Sequence, residues 1–110
     1  MFIASFIYSP GQYDEEFHRL NAIIDAVARS LPGFIAAESW VSADAERRNA
    51  TYYWNDIETL KSFSAHPVHQ QAKRQYAKWY EGYHIVISEL VRSYGDGSLA
   101  HATPNDRERV

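Results

Sequence analysis

The chain begins with a run that few folds can accommodate. In FIASFIY, Phe2 to Tyr8, apolar side chains fall in both phases of a two-residue repeat. Side chains of a strand alternate between the faces of its sheet, so a strand apolar in both phases needs both faces covered. The pattern recurs at Phe34-Ile35, Trp40-Val41, Tyr52-Tyr53 and Ile85-Val86-Ile87. Whatever sheet these segments build has two greasy sides.

The intervening segments say how many of those sides the chain can cover itself. SPGQ ends the first strand, and Asp14, Glu15 and Glu16 then place negative charge where a helix N-terminus favours it. Phe17, Leu20, Ile24, Val27, Ala28 and Leu31 follow at helical spacing until Pro32-Gly33 stops the run. FIAAESWVS (Phe34 to Ser42) and NATYYWN (Asn49 to Asn55) read as two strands of a hairpin joined by the polar ADAERR. Asn55 reads as an N-cap, with Glu58 completing a capping box before the short helix DIETLKSF. A second helical run starts at His66-Pro67, aligns Val68, Ala72, Tyr76 and Trp79 in one stripe, and ends at Gly82. YHIVISELVRSY, Tyr83 to Tyr94, is the last strand.

The order β-α-β-β-α-β is the ferredoxin-like α+β pattern, an antiparallel sheet with helices on one face only. The other apolar face would be larger than a soluble monomer tolerates. A second copy is the simplest cover, so the sequence predicts a homodimer with two sheets packed face to face. The 110 residues fit one domain. It spans residues 1–95, and the small, polar, aperiodic stretch 96–110 is expected to be a mobile tail or an arm that docks on the partner.

Composition narrows the chemistry. The net charge of -3 leaves no positive field to gather phosphates, so nucleic acid is not an expected partner. Absence of cysteine excludes disulfides, thiolate nucleophiles, iron–sulfur clusters and Cys-ligated zinc. The N-terminal apolar run is too short to span a bilayer and lacks a basic leader or cleavage site, which predicts a cytoplasmic protein without a membrane partner. GDGS at Gly95 lacks the lysine and strand-to-helix setting of a phosphate loop, and no Gly-x-Ser-x-Gly elbow occurs.

HPVH sets His66 and His69 on either side of Pro67. Proline favours the first helical position, which makes His66 the N-cap and puts His69 in the first turn. Three readings stand side by side. A metal site needs a third ligand, and helical zinc pairs sit at i,i+4 in a longer motif, so no metal is assigned. A structural reading takes His66 as a cap and His69 as a first-turn imidazole. In the catalytic reading the positive helix end disfavours imidazolium, so His69 stays neutral and accepts a proton while the same end favours a phenolate or carboxylate. His69 is the leading base on that reading and His66 the second.

Tyr76, Trp79, Tyr80 and Tyr83 cluster around the end of the second helical run and read mainly as core or interface. Tyr76 is kept as a phenol that hydrogen-bonds a ligand. Asn21, a polar residue beside the apolar face of the first helix, is taken as a second contact to that ligand.

The segment from Tyr52 to Gly95 resembles the antibiotic-biosynthesis monooxygenase family of dimeric α+β barrels. The likeness rests on an aromatic strand ending in Trp54, an ND-x-E-x-L-x-x-F helix, HPxH, a helix with AK and WY, and a strand ending RSYG. The first half agrees in element order alone. The resemblance implies a ferredoxin-like subunit, one pocket per subunit between sheet and helices, and a pocket-lining Trp54, which from the residues alone reads equally as an aromatic core plug. Some members oxygenate aromatic polyketides or quinols without metal or flavin, and a related branch degrades haem with an Asn on the first strand. Here that strand has no Asn, and Ser5 is its small polar group inside the apolar run, taken as a substrate contact. The departure argues against haem degradation.

The function expected is thus a cofactor-independent monooxygenase of a small aromatic molecule, phenol- or quinol-like, with His69 as base and Trp54 and Tyr76 as donors. Two alternatives remain, a non-catalytic small-molecule-binding or structural dimer and a haem-binding protein.

Overall fold

A computed structural model of the protein describes residues 1–107, so the last three residues of the predicted tail lie outside the described residues. Four strands, β1 (Phe2–Pro10), β2 (Phe34–Val41), β3 (Arg48–Trp54) and β4 (Tyr80–Glu89), form one antiparallel sheet in the order β2-β3-β1-β4. Helices α1 (Glu15–Ser30), α2 (Ile57–Ala65), α3 (Pro67–Arg74) and the single turn α4 (Tyr76–Trp79) complete the chain. This is the ferredoxin-like α+β architecture expected from the apolar pattern.

Strand pairing sets which side chains meet the helices, because directly paired residues share a face. Ala4, Phe6 and Tyr8 pair with Tyr52, Ala50 and Arg48 on one side and with Ile87, Ile85 and Tyr83 on the other. This phase faces the helices. Ile3, Ser5 and Ile7, paired with Tyr53, Thr51 and Asn49 and with Ser88, Val86 and His84, face away.

Local chemistry explains most element ends. Asp14 caps α1 by accepting the Phe17 N–H at 2.8 Å, and Glu15 and Glu16 follow in the first turn. The cap of α2 is Asp56, one residue later than expected. Its Oδ1 accepts from the Thr59 N–H at 2.7 Å and from the Thr59 hydroxyl at 2.8 Å. Asn55 is held elsewhere, its N–H donating to the Gly33 carbonyl at 2.8 Å. Gly33 is buried against Thr59, whose side chain occupies the space that a Cβ would take.

The predicted helix from Pro67 to Gly82 is interrupted at Gln75, and the last strand starts at Tyr80 rather than Tyr83. The cause is Trp79. Its indole donates to the Asp14 carboxylate at 3.1 Å, and its carbonyl accepts the Gly11 N–H at 2.7 Å. Burying Trp79 against the start of α1 requires the backbone to leave the helix there. Gly82 then lies inside β4 opposite Ser9, beside a bulge where the register slips so that Pro10 pairs with Tyr80.

β4 stops at Glu89, short of the expected Tyr94, after which the Leu90 N–H bonds to the Met1 carbonyl at 2.9 Å. The following segment closes on itself: the Ser93 hydroxyl donates to the Pro104 carbonyl, and the Asp106 N–H donates to the Ser93 carbonyl at 2.8 Å. It also reaches the sheet face away from the helices, where His101 Nε2 lies 3.2 Å from the Glu38 carboxylate. Tyr53 donates to the same carboxylate at 2.5 Å, and burial with this acceptor pushes its phenol up to about 12.

Between sheet and helices the core gathers Ala28, Trp54, Leu60 and Phe63, with Phe2, Leu31, Phe34 and Ile57 around them. Trp54 is 0% exposed and stands 5.7 Å from Phe34 and 5.2 Å from Phe63, ring centre to ring centre. Full burial of one such side chain stabilises a fold by about 2–3 kcal/mol.

Candidate functional site

Beyond Phe63 and Tyr52 the two layers separate around a cavity of about 570 Å³, a size typical of small-molecule sites. Its floor is the helix-facing phase of β1, β3 and β4, and its walls come from all four helices. The space exists because short residues sit where neighbours carry rings. Ala4 and Ala50 lie in the floor among Phe6, Tyr8 and Tyr52, and Ala72 lies in the α3 wall.

His69 enters this cavity from the first turn of α3. Its ring meets Phe63 edge to face at 4.8 Å, and its Nδ1 is buried without a hydrogen-bond partner among the described residues. Burial, reinforced by Lys73 one turn later and by His66, pushes its pKa down to about 4. The imidazole is therefore neutral near pH 7, and desolvation is the larger cause, ahead of the neighbouring charges. Lys73 is held beside it, its Nζ donating to the Ser64 hydroxyl at 2.9 Å.

Two further expected residues join His69. Tyr76 and Asn21 both line the cavity, and Tyr76 packs edge to face on Tyr83 at 5.0 Å. Three do not. His66 Nδ1 accepts the Val68 N–H at 3.2 Å, so its ring serves as the cap of α3 and is absent from the wall. Trp54 lies in the packed core behind Tyr52, its indole N–H without a partner among the described residues, and does not reach the cavity surface. Ser5 belongs to the opposite phase of β1 and faces the other side of the sheet.

The wall also holds residues that the sequence reading left out or assigned to packing: Tyr8, Tyr13, Tyr52, Arg48 and His18, with Tyr80 and Tyr83. Burial raises the phenols of Tyr13, Tyr52 and Tyr80, keeping them protonated donors at neutral pH. A usable signal existed in the sequence. Once Ala4 and Ala50 are placed in the inward phase of their strands, the phenols of that same phase border the gap they leave.

Such an arrangement suits proton removal from a weak acid in an apolar space. A neutral imidazole with a free ring nitrogen accepts the proton, and phenol donors hold the anion left behind. Among the described residues no three His, Asp or Glu side chains group as a metal site, and no helix is long and apolar enough to cross a membrane.

A family model described as monooxygenase af470-like matches residues 7–88. Solved structures share the fold at low identity. A variant of SnoaB, a cofactor-independent oxygenase from Streptomyces nogalater, is 16% identical with a TM-score of 0.67, covering 84% of this chain and 94% of its own. A candidate antibiotic biosynthesis monooxygenase from Deinococcus radiodurans is 16% identical with a TM-score of 0.66, covering 86% and 97%. A protein from Shewanella oneidensis is 19% identical with a TM-score of 0.65, covering 79% and 87%. No protein of curated function matches the sequence.

Proposed function

The chain belongs to the af470-like monooxygenase family, and we propose that it oxygenates a phenol- or quinol-like aromatic in its cavity without metal, flavin or haem. The observation that carries this reading is the buried, unpartnered Nδ1 of His69 on the cavity wall. A buried polar atom without a partner costs stability, and a substrate hydroxyl is a fitting partner for it.

In the proposed reaction His69 removes the substrate's hydroxyl proton. An imidazole with so low a pKa is a weak base in isolation, so the transfer succeeds only while the new anion stays beside the imidazolium as an ion pair. The electron-rich anion then reduces O₂, and a carbon–oxygen bond forms at an activated ring carbon to give a peroxide. That carbon's remaining hydrogen then passes as a proton to the terminal peroxide oxygen as the O–O bond breaks, leaving a carbonyl and hydroxide. The His69 proton returns to the departing hydroxide as water. One oxygen atom ends in the quinone product and the other in water, so no external reductant is needed. Phenols such as Tyr76 and Tyr80 supply hydrogen bonds to the developing anion.

The same proposal includes a second copy of the chain over the sheet face away from the helices. On that face Trp40 is 62% exposed and Val86 is 42% exposed, beyond the reach of the chain's own helices.

The test is oxygen uptake by chelator-treated protein given dithranol, a dihydroxyanthrone. One O₂ should be consumed per anthrone converted to quinone, well above the protein-free rate. A rate equal to that control, or one that appears only after metal, flavin or haem is added, would overturn the proposal.

A further inference from the structure

Beside His69 the cavity wall holds a second polar pair, Ser64 and Lys73. Ser64 follows Phe63, whose ring stands 4.8 Å from the imidazole. Lys73 lies one turn beyond His69 on the same side of α3. Burial, reinforced by the Lys73 charge, is what holds the imidazole neutral. No Asp or Glu on the cavity wall offsets that charge.

The end of α2 shows that the pair does more than close a helix. The last carbonyls of a helix lack intrahelical donors, and that of Ser64 is among them. It already accepts from the Gln70 side-chain amide at 2.9 Å. The Lys73 ammonium stands 3.5 Å from the same carbonyl but only 2.9 Å from the Ser64 hydroxyl. Its shorter bond therefore goes to a group that helix capping does not require.

The Ser64 hydroxyl also differs from other serine hydroxyls of the chain in what it donates to. Ser30 and Ser93 give their hydrogens to backbone carbonyls, and Ser42 gives its own to Asp44. Among the described residues no acceptor takes the Ser64 hydrogen. An oxygen that accepts from an ammonium is a stronger donor in turn, because its O–H bond is polarised.

Resting on the proposed oxygenase reading, we infer that Ser64 is a further catalytic residue, its hydroxyl donating to the substrate oxygen that His69 deprotonates. Lys73 is a positioning residue that holds the Ser64 oxygen and leaves its hydrogen for the cavity. Imidazolium and hydroxyl then flank the new anion, which lets a weak base complete the transfer.

The electron-poor p-nitrophenol tests this without turnover, since its anion absorbs visible light and its neutral form does not. Absorbance of the bound probe against pH gives its ionisation constant in the cavity. Wild type should ionise it about tenfold more readily than Ser64→Ala, as a charged hydrogen bond provides. Binding of p-nitroanisole, which has no hydroxyl proton to lose, should be equal in the two and shows that the variant is folded. Lys73→Met should reduce ionisation about threefold, an effect limited by the exposure of the ammonium. In the Ser64→Ala background it should change nothing, because the ammonium acts through the hydroxyl. Equal ionisation in wild type and Ser64→Ala, or a Lys73→Met effect undiminished without Ser64, overturns the inference while leaving the cavity as an aromatic site. Failure of wild type to bind either probe overturns both the inference and the reading on which it rests.

Discussion

Where Phe34, Trp54 and Phe63 meet beneath Ala28, the helices and the sheet close on one another. Toward Tyr8 and Tyr83 the same two layers stand apart around a cavity of about 570 Å³. Both ends are built from strands with the same alternation and are rich in aromatic rings. What separates them is the size of a few inward residues, with Ala4 and Ala50 in the floor of the open end and a large tryptophan at the closed end. The open end is still anchored, by Leu20 and Trp79 buried in its wall, but it leaves space between the layers that the closed end does not. His69 sits on the border, its ring against the core residue Phe63 and its Nδ1 without a partner.

The comparison breaks first at Trp54. Trp54→Ala removes a fully buried indole from the closed end and should cost about 3–5 kcal/mol in urea unfolding. A loss below about 1 kcal/mol would mean that the closed end is not where the fold is held. Gly33→Ala is a smaller insult to the same end, because the new Cβ must displace the Thr59 side chain from Asp56. About 1–3 kcal/mol is expected, read as a lower melting temperature, and a neutral result would show that the loop yields easily.

A third effect belongs to the border. The His69 pKa falls from 6.5 to about 4 on folding. Between those values the unfolded chain binds more protons than the folded one, so stability rises with pH through this window and is lost as pH falls from 6.5 toward 4. Complete linkage for such a shift is about 3 kcal/mol, and partial exposure of the ring reduces it to about 1–2 kcal/mol. Denaturant midpoints of wild type and His69→Phe should differ little or favour the variant near pH 7, and wild type should fall progressively below the variant as pH drops from 6.5 toward 4. Parallel curves would place the ring in solvent. The smallest effect is expected at the open end, where Tyr76→Phe should change stability by less than about 0.5 kcal/mol. A larger loss would mean that the Tyr76 hydroxyl bears structure as well.

The closed end was easier to read from sequence than the open one. Helical spacing from Phe17 to Leu31 and the doubly apolar strands lead directly to the element order, because periodicity records which sides need covering. The core reading of Trp79 agrees with its burial, whereas the helix break at Gln75 is not legible in local sequence. Trp79 ends the short helix α4 with its indole bonded to Asp14, a partner far away in sequence, and local propensity contains no trace of that bond. Trp54 and Ser5 were placed on the wall by likeness and by polarity, whereas pleat phase and ring packing decide where a side chain emerges. The first-turn position of His69 is legible because the capped proline before it is a local signal. Tyr8, Tyr80 and Arg48 were missed because a cavity is defined by what does not fill it, and that depends on alanines from three separate elements.

On the proposed reading His69 serves chemistry and not the fold, so the most direct measurement pairs rate with stability in His69→Phe. Dithranol oxidation should fall by about 10²–10⁴-fold, the contribution of a positioned general base. Stability at pH 7 should be unchanged or higher, since an unpartnered buried nitrogen has been removed. A variant that oxidises dithranol at the wild-type rate, or one that loses activity only because it unfolds, would contradict the account.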